Sequence, residues 1–251
     1  MPVRVSLPTI ERVPDLTLFL DDGGVLSDNS RRAPEWLRLV AEFFPSRLGG
    51  EPAAWAAANR ATWRQVFQAH EEAMAVEDRY MEGLLAYEKA WLVAMCEHVG
   101  VAPPEGDACG ALAREADLYI MRRVRAAFPD AAETVVALAD AGYTLHTASN
   151  QASWELEAYL GPMGITDRFG HLFGADLVNA MKPSRAYYER VFAHAGVDPA
   201  HALVLDDTAA CLDFAREVGA RTILVGSGES AHGHLAIPCL AALPALLETL
   251  D

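Results

Sequence analysis

The apolar run Leu16-Thr17-Leu18-Phe19-Leu20 ends abruptly at Asp21-Asp22-Gly23-Gly24. A short apolar run bounded by such a turn signal reads as a buried strand. It has no partner nearby. From Ala33 to about Phe128 apolar residues recur at helical spacing, as in Trp55, Ala58, Thr62, Trp63, Val66 and Phe67. That block reads as helix throughout, about four of them. Strand patterns return only after Pro129, so the first strand has to join a sheet built by the distant half of the chain.

Beyond Pro129 the text alternates. Asp130 and Glu133 form an N-cap pair opening a helix that closes at Gly142. A strand over 143–148 and a helix over 153–160 follow. Then come a helix over 184–195 closed by Gly196, a strand over 202–205, a helix over 209–218 closed by Gly219, and a strand over 222–225. Strands alternating with helices of this length specify right-handed βαβ units in a parallel sheet covered on both faces. The expected fold class is α/β: a doubly wound parallel sheet from residues 1–28 and 129–251, with an all-helical unit over 29–128 inserted after the first strand.

The chain has 251 residues, 52% of them hydrophobic, enough to bury a sizeable core. Its 20 Lys and Arg against 35 Asp and Glu give a net charge of −15, with no basic run, which excludes nucleic acid and anionic membrane surfaces as partners. The apolar stretch 235–247 is broken by Pro238 and Pro244 and cannot span a bilayer. The first twenty residues lack a long apolar core and a cleavage site. Cys96, Cys109, Cys211 and Cys239 form no CxxC pair, so free thiols in a reducing compartment, the cytoplasm, are expected.

Ligands of a parallel sheet bind at the carboxyl ends of its strands. Asp21 and Asp22 follow the first strand, Ser149 and Asn150 the second, and Asp206 and Asp207 a later one; Lys182 lies in the loop before the helix that leads to it. Carboxylates sharing one crevice need a cation between them or a raised pKa. Oxygen ligands favour a hard ion, and Mg²⁺ takes one or two carboxylates together with phosphate oxygens and water. A phosphoryl group fits the remainder, its charge met by Mg²⁺ and Lys182 and its oxygens held by Ser149 and nearby N–H groups. Lysine usage agrees. Of the 20 basic residues 18 are Arg, and only Lys89 and Lys182 are Lys, so Lys182 stands where a planar guanidinium would not fit.

In their order and spacing, Leu20-Asp21-Asp22-Gly23-Gly24-Val25-Leu26, Thr147-Ala148-Ser149-Asn150, Lys182-Pro183 and Val204-Leu205-Asp206-Asp207-Thr208 resemble the four motifs of the haloacid dehalogenase-like (HAD) hydrolases. The helical block falls where subfamily I members carry an α-helical cap. The resemblance implies a Rossmann-like core and Asp21 as a nucleophile that forms an aspartyl-phosphate. It further implies Mg²⁺ held by Asp21, Asp207 and the backbone oxygen of Gly23, with Asp206 beside them. Ser149 and Lys182 would complete the catalytic set, and Asp22, Gly24 and Asn150 would line the substrate.

Two departures shape the expectation. Gly23 stands where the family has the second Asp of its first motif, which protonates the leaving group and then activates water; such assistance is typically worth about 10² to 10⁴ in rate. Asp22, Asp28, Glu77, Asp78 and Glu88 are the candidate substitutes. Cys211 takes the place of an acid that supports the metal and Lys182, or else packs on its helix face beside Phe214 and Ala215. The leading reading is a Mg²⁺-dependent phosphohydrolase of a small metabolite with a good leaving group. One alternative is carbon–halogen cleavage, which family dehalogenases perform without a metal, or carbon–phosphorus cleavage, in which Lys89 would form a Schiff base. A third is a ligand- or partner-binding relative that has lost catalysis. The cap arginines Arg60, Arg64, Arg79, Arg114 and Arg122 are candidate selectors of substrate. Trp55 and Trp63 are expected inside the helical bundle and His146 in the core or at an edge. A monomer or homodimer is expected.

Overall fold

The computed structural model describes residues 15–226 and 232–249; of the first twenty residues, read above as lacking an apolar core and a cleavage site, 1–14 lie outside them. Strand β1 (Thr17–Leu20) leads at once into helices α1 (Asn29–Phe43), α2 (Pro45–Leu48), α3 (Pro52–Met74), α4 (Tyr80–Val99) and α5 (Asp107–Met121). Four are long and α2 is a single turn. The core then resumes with α6 (Ala131–Asp140), β2 (Thr144–Ala148), α7 (Ser153–Leu160), β3 (His171–Phe173), α8 (Ala175–Val178) and α9 (Arg185–Ala195). It closes with β4 (Ala202–Asp206), α10 (Ala209–Val218), β5 (Arg221–Val225), β6 (Leu235–Ile237) and α11 (Leu243–Leu247).

The strands form one parallel sheet in the order β3-β2-β1-β4-β5-β6. The chain winds outward through β2 and β3, then returns to the other side of β1 through β4. The switch point therefore falls between β1 and β4, where an open α/β sheet holds its ligand. Register sharpens it: Leu20 pairs with Thr147 on one side and Leu205 on the other, and the Asp21 N–H donates to the Leu205 carbonyl at 2.9 Å.

Burial on both faces explains the unbroken apolar strands. Leu18, Leu20, Leu203 and Leu205 pack on one face against α6 and the C-terminal segment; Phe19 and Val204 point to the other, among Tyr187, Tyr188, Phe192 and Leu212. The cap has its own core of Phe43, Phe44, Trp55, Trp91 and Met95, which also takes in Ala158 and Tyr159 of α7. Cap and helix α7 are thus joined by apolar contact.

Local signals placed most elements. The Ser184 side chain accepts from the Tyr187 N–H at 3.2 Å to start α9, and Gly196 closes it in the left-handed region. Asp130 does stand at the N-cap of α6 but makes no side-chain cap bond, and that helix ends at Asp140, before Gly142. Trp55 is buried, stacked on Phe44 with ring centroids 4.7 Å apart. Trp63 is not stapled beside it: at 42% exposure it sits at a cavity rim. Eight residues advance a helix by about 80° beyond two turns, which turns Trp63 toward the edge of the face that Trp55 buries. Among the described residues no helix is long and apolar enough to cross a membrane. The four cysteines are free, three of them buried.

Candidate active site

The β1–β4 switch point opens into a cleft of about 300 Å³ lined by Asp21, Gly23, Ser149, Lys182, Asp207 and Cys211 among others. Lys182 is its electrostatic centre. Its ammonium donates to Asp206 Oδ2 at 2.7 Å and to the Ala148 carbonyl at 2.8 Å, and lies 3.1 Å from Asp21 Oδ1. The loop that delivers it is fixed by Asn150, whose Oδ1 accepts from the Lys182 N–H at 2.7 Å while its Nδ2 donates to the Lys182 carbonyl at 3.0 Å. Asn150 therefore positions Lys182 rather than only waiting for substrate. Ser149 is buried, and its hydroxyl oxygen accepts from the Gln151 N–H at 3.3 Å.

Carboxylate oxygens of Asp21, Asp206 and Asp207 lie within 4.8 Å of one another. Burial, with the charges of Asp206 and Asp22, pushes Asp21 up to about 7 against the pull of Lys182. Asp207 is raised as well, by burial and by Asp206. Burial opposes the Lys182 ammonium, yet Asp21 and Asp206 outweigh it and hold its pKa well above the ordinary value. Beyond the Asp22–Arg32 pair, three acids against Lys182 leave the cleft short of positive charge.

An oxygen-only donor set of this kind suits a hard divalent ion, and the backbone makes room for it. Gly24 has φ of +79°, and a Cβ there would lie 2.0 Å from Asp207 Oδ2. Asp206 is already engaged, Oδ2 with Lys182 and Oδ1 with the Thr208 N–H at 2.8 Å, so it anchors the lysine while Asp21 and Asp207 are left to face an ion. Gly24→Ala should displace Asp207 and weaken Mg²⁺ binding by about 10- to 100-fold, the usual effect of disturbing a ligand's support. A calorimetric Mg²⁺ titration of the variant checks this; wild-type affinity would rule the role out.

The candidate substitutes for the missing acid are all occupied. Asp22 is fully buried, with one oxygen accepting from the Ser27 hydroxyl at 2.8 Å and the other from Arg32 at 2.6 Å. Asp22 lines the cleft, with both of its oxygens committed within the protein. Asp28 caps α1, accepting from the Ser30 N–H at 2.8 Å, and hydrogen bonds from Ser30 hold its pKa down. Glu77 and Asp78 both pair with Arg190, and Glu88 takes two hydrogen bonds from Arg114. None of the last three lines the cleft. Where the second acid would begin, a Cβ on Gly23 would meet the Asn29 side-chain amide at 3.2 Å. An amide, not a carboxyl, fills that corner.

Asn29 and Arg32 went unseen in the sequence. They are one helical turn apart at the start of α1, directly after the first motif, and that i, i+3 spacing was the available sign. Arg32 pairs with Asp22, lies 4.3 Å above the Tyr159 ring, and has a buried Nε with no hydrogen-bond partner among the described residues. Cys211 lines the cleft instead of only packing on its helix, its thiol pushed up to about 12 by burial. Lys89 is exposed on α4 and lines neither this cleft nor the cap cavity beside it, which removes the Schiff-base route. Of the five cap arginines singled out in the sequence only Arg60 lines that cavity. His146 is buried as expected, its Nδ1 accepting from the His171 N–H at 2.9 Å and its pKa lowered to about 4 by burial.

The family model for haloacid dehalogenase-like hydrolases matches residues 17–219. The chain belongs to that family. HAD-like hydrolases of known structure share its fold across nearly the whole length. The defluorinating L-2-haloacid dehalogenase Rha0230 is 18% identical, with 95% of this chain and 99% of that one covered at a TM-score of 0.67. The L-2-haloacid dehalogenase of Xanthobacter autotrophicus is 20% identical, with 94% and 99% covered at 0.63. The HAD-hydrolase YfnB of Bacillus subtilis, bound to magnesium, is 17% identical, with 93% and 98% covered at 0.67. No curated protein matches the chain. As a HAD-like hydrolase the protein has the expected helical cap on a Rossmann-like core, and its acidic cluster sits at the sheet's switch point.

Proposed function

We propose that this HAD-like hydrolase attacks its substrate with the Asp21 carboxylate and releases a leaving group that needs no proton from the protein. The observation carrying the reading is that every candidate acid, Asp22, Asp28, Glu77, Asp78 and Glu88, is held elsewhere, while Asn29 occupies the corner beside Gly23. Lys182 orients Asp21 and opposes the burial that favours its protonation. Ser149 and the free Nε of Arg32 are placed to receive substrate oxygens or the leaving group. Covalent capture divides one difficult displacement into two easier ones. The protein is read as cytoplasmic, with residues 29–128 as the cap that selects a small molecule.

The acidic cluster favours a phosphoryl electrophile with a weakly basic leaving group, such as an acyl or aryl phosphate. Asp21, Asp207 and the backbone oxygen of Gly23 would hold Mg²⁺, which when bound neutralises the crowded carboxylates and polarises a phosphoryl oxygen. A second reading, carbon–halogen hydrolysis, is favoured by the amide beside Gly23, since a halide departs without a proton. It is also the activity named for two of the similar structures, though that likeness is one of fold. The deciding assay offers acetyl phosphate and 2-chloropropionate, each with Mg²⁺ and with EDTA. Phosphate release that EDTA abolishes supports the first electrophile; halide release indifferent to EDTA supports the second. Neither release would overturn the hydrolase mechanism.

The missing acid also makes a gain-of-function prediction. Gly23→Asp combined with Asn29→Ser, which clears the amide, should raise turnover of an alkyl phosphate by about 100-fold, the lower end of what acid assistance supplies. Unchanged rates on alkyl phosphates, with acyl phosphate turnover intact, would mean that leaving-group protonation is not what limits this enzyme.

A further inference from the structure

Above the cleft, between cap and sheet, lies a second cavity of about 530 Å³. It shares Asn29, Arg32, Asn150 and Gln151 with the cleft, so the two adjoin, the cap cavity lying directly beyond Asp21's cleft. Its walls are mostly carbon. Phe67, Tyr80, Tyr87 and Trp91 contribute rings, and two of their polar tips are engaged elsewhere: the Tyr80 hydroxyl donates to the Asn150 carbonyl at 2.9 Å and the Trp91 indole to Asn59 at 2.8 Å.

Two carboxyls break this apolar lining. Asp117 of α5 is 8% exposed and lines the cavity, yet accepts no hydrogen bond from any described residue. Glu155 of α7, 7% exposed, lines the same cavity and has one oxygen bonded to the Ala152 N–H at 2.7 Å. The cations around them are matched to other partners. Arg32 is bound to Asp22, and Arg114 is held by Glu88 through contacts of 3.2 and 2.8 Å. Arg60 and Glu71, of opposite sign, are both exposed at the rim. The enclosed part of the cavity therefore carries more acid than base, the pull of Arg114 on Asp117 and Glu155 being shared with Glu88. Leaving a buried carboxyl unpaired is costly, and proteins keep one where a ligand completes it.

We propose that this cavity binds an organic ammonium group, with Asp117 as its main counter-ion, Glu155 beside it and the aromatic walls around its carbon body. The chemistry is that of cation recognition by carboxylate and ring together. Burial, with the charges of Glu155 and Glu88, raises Asp117 well above the ordinary carboxylate range, and burial lifts Glu155 to about 7; a bound cation would draw both back down. Resting on the hydrolase reading above, the inference names a substrate class: a molecule with its electrophilic group at Asp21 and a protonated or quaternary amine carried on an apolar body into the cap. A substrate whose carboxylate had to enter this cavity would find no counter-charge to offset its burial.

The test uses the whole chain and three probes that differ in one group: 2-phenylethylammonium, 2-phenylethanol and 3-phenylpropionate, titrated calorimetrically at neutral pH. The ammonium should bind with a dissociation constant on the order of 1 mM, as expected for so small a ligand. The alcohol should bind at least tenfold more weakly and the carboxylate not at all. Asp117→Asn should weaken the ammonium at least tenfold without changing the alcohol. Should that variant not fold, Glu155→Gln, which keeps an acceptor for the Ala152 N–H, should show the same selective loss. Equal binding of alcohol and ammonium, or wild-type affinity in the folded variant, overturns the proposal. An Asp21→Asn chain should bind the ammonium normally, so failure of the cavity and failure of the nucleophile are told apart.

Discussion

A chain carrying Asp21→Asn should fold, keep its cap cavity, and turn over substrate about 10⁴-fold more slowly or worse, as when the nucleophile of a catalytic constellation is removed. The amide preserves shape but has no anionic oxygen to form the covalent bond. Nothing nearby replaces it. Asp206 is held by Lys182 and the Thr208 N–H, Asp22 is locked by Ser27 and Arg32, and the Cys211 thiol is neutral at working pH because burial lifts it to about 12. The measurement is single-turnover kinetics on whichever electrophile the wild type accepts. Activity within tenfold of wild type would remove Asp21 from the reaction and with it the mechanism for both electrophiles.

Lys182→Met should be lost twice over, in stability and in rate. The ammonium satisfies the Ala148 carbonyl, Asp206 and Asp21 at once, all in a buried place. Removing one side of a buried ion pair leaves the other uncompensated and costs about 3 to 5 kcal/mol. For a domain of this size that corresponds to a fall in Tm of roughly 10 °C. Adding Asp206→Asn should recover part of the stability, since one stranded charge is removed with its partner, yet recover no activity. Lys182→Arg should not rescue, because a planar guanidinium cannot aim at three acceptors grouped around one nitrogen. Thermal melts of the three variants read the first effect and turnover the second. A Lys182→Arg chain as stable and active as wild type would refute the argument from lysine usage.

Much of the fold was legible because its signals are local. Ser184, Gly196 and Gly219 punctuate helices, and the apolar runs at β1, β4 and β5 have no reading other than strands buried on both faces. Strands β3 and β6 escaped notice because three residues are too few to show a period, and both lie at the sheet's edges, where tertiary pairing alone defines them. In the site, Asp21, Ser149, Lys182, Asp206 and Asp207 were visible because each follows a strand or sits beside one. What the sequence could not show was the state of each carboxyl. Asp22 looks as available as Asp21 in the text, and only the fold turns it onto Arg32. Asn29, Arg32 and Asp117 were hidden because their importance comes from what they face across the cap, not from their neighbours in the chain.

Arg32 belongs to the cap's first helix, yet it grips the residue next to the nucleophile and lies over Tyr159 of the core. A rivet set there denies the cap an easy swing about the 28–29 junction, because any large rotation must first pull a buried ion pair apart. Whatever enters the cap cavity then meets Trp63, Arg60 and Glu71 at its exposed edge in a fixed arrangement, and width at that edge becomes part of what the cap selects.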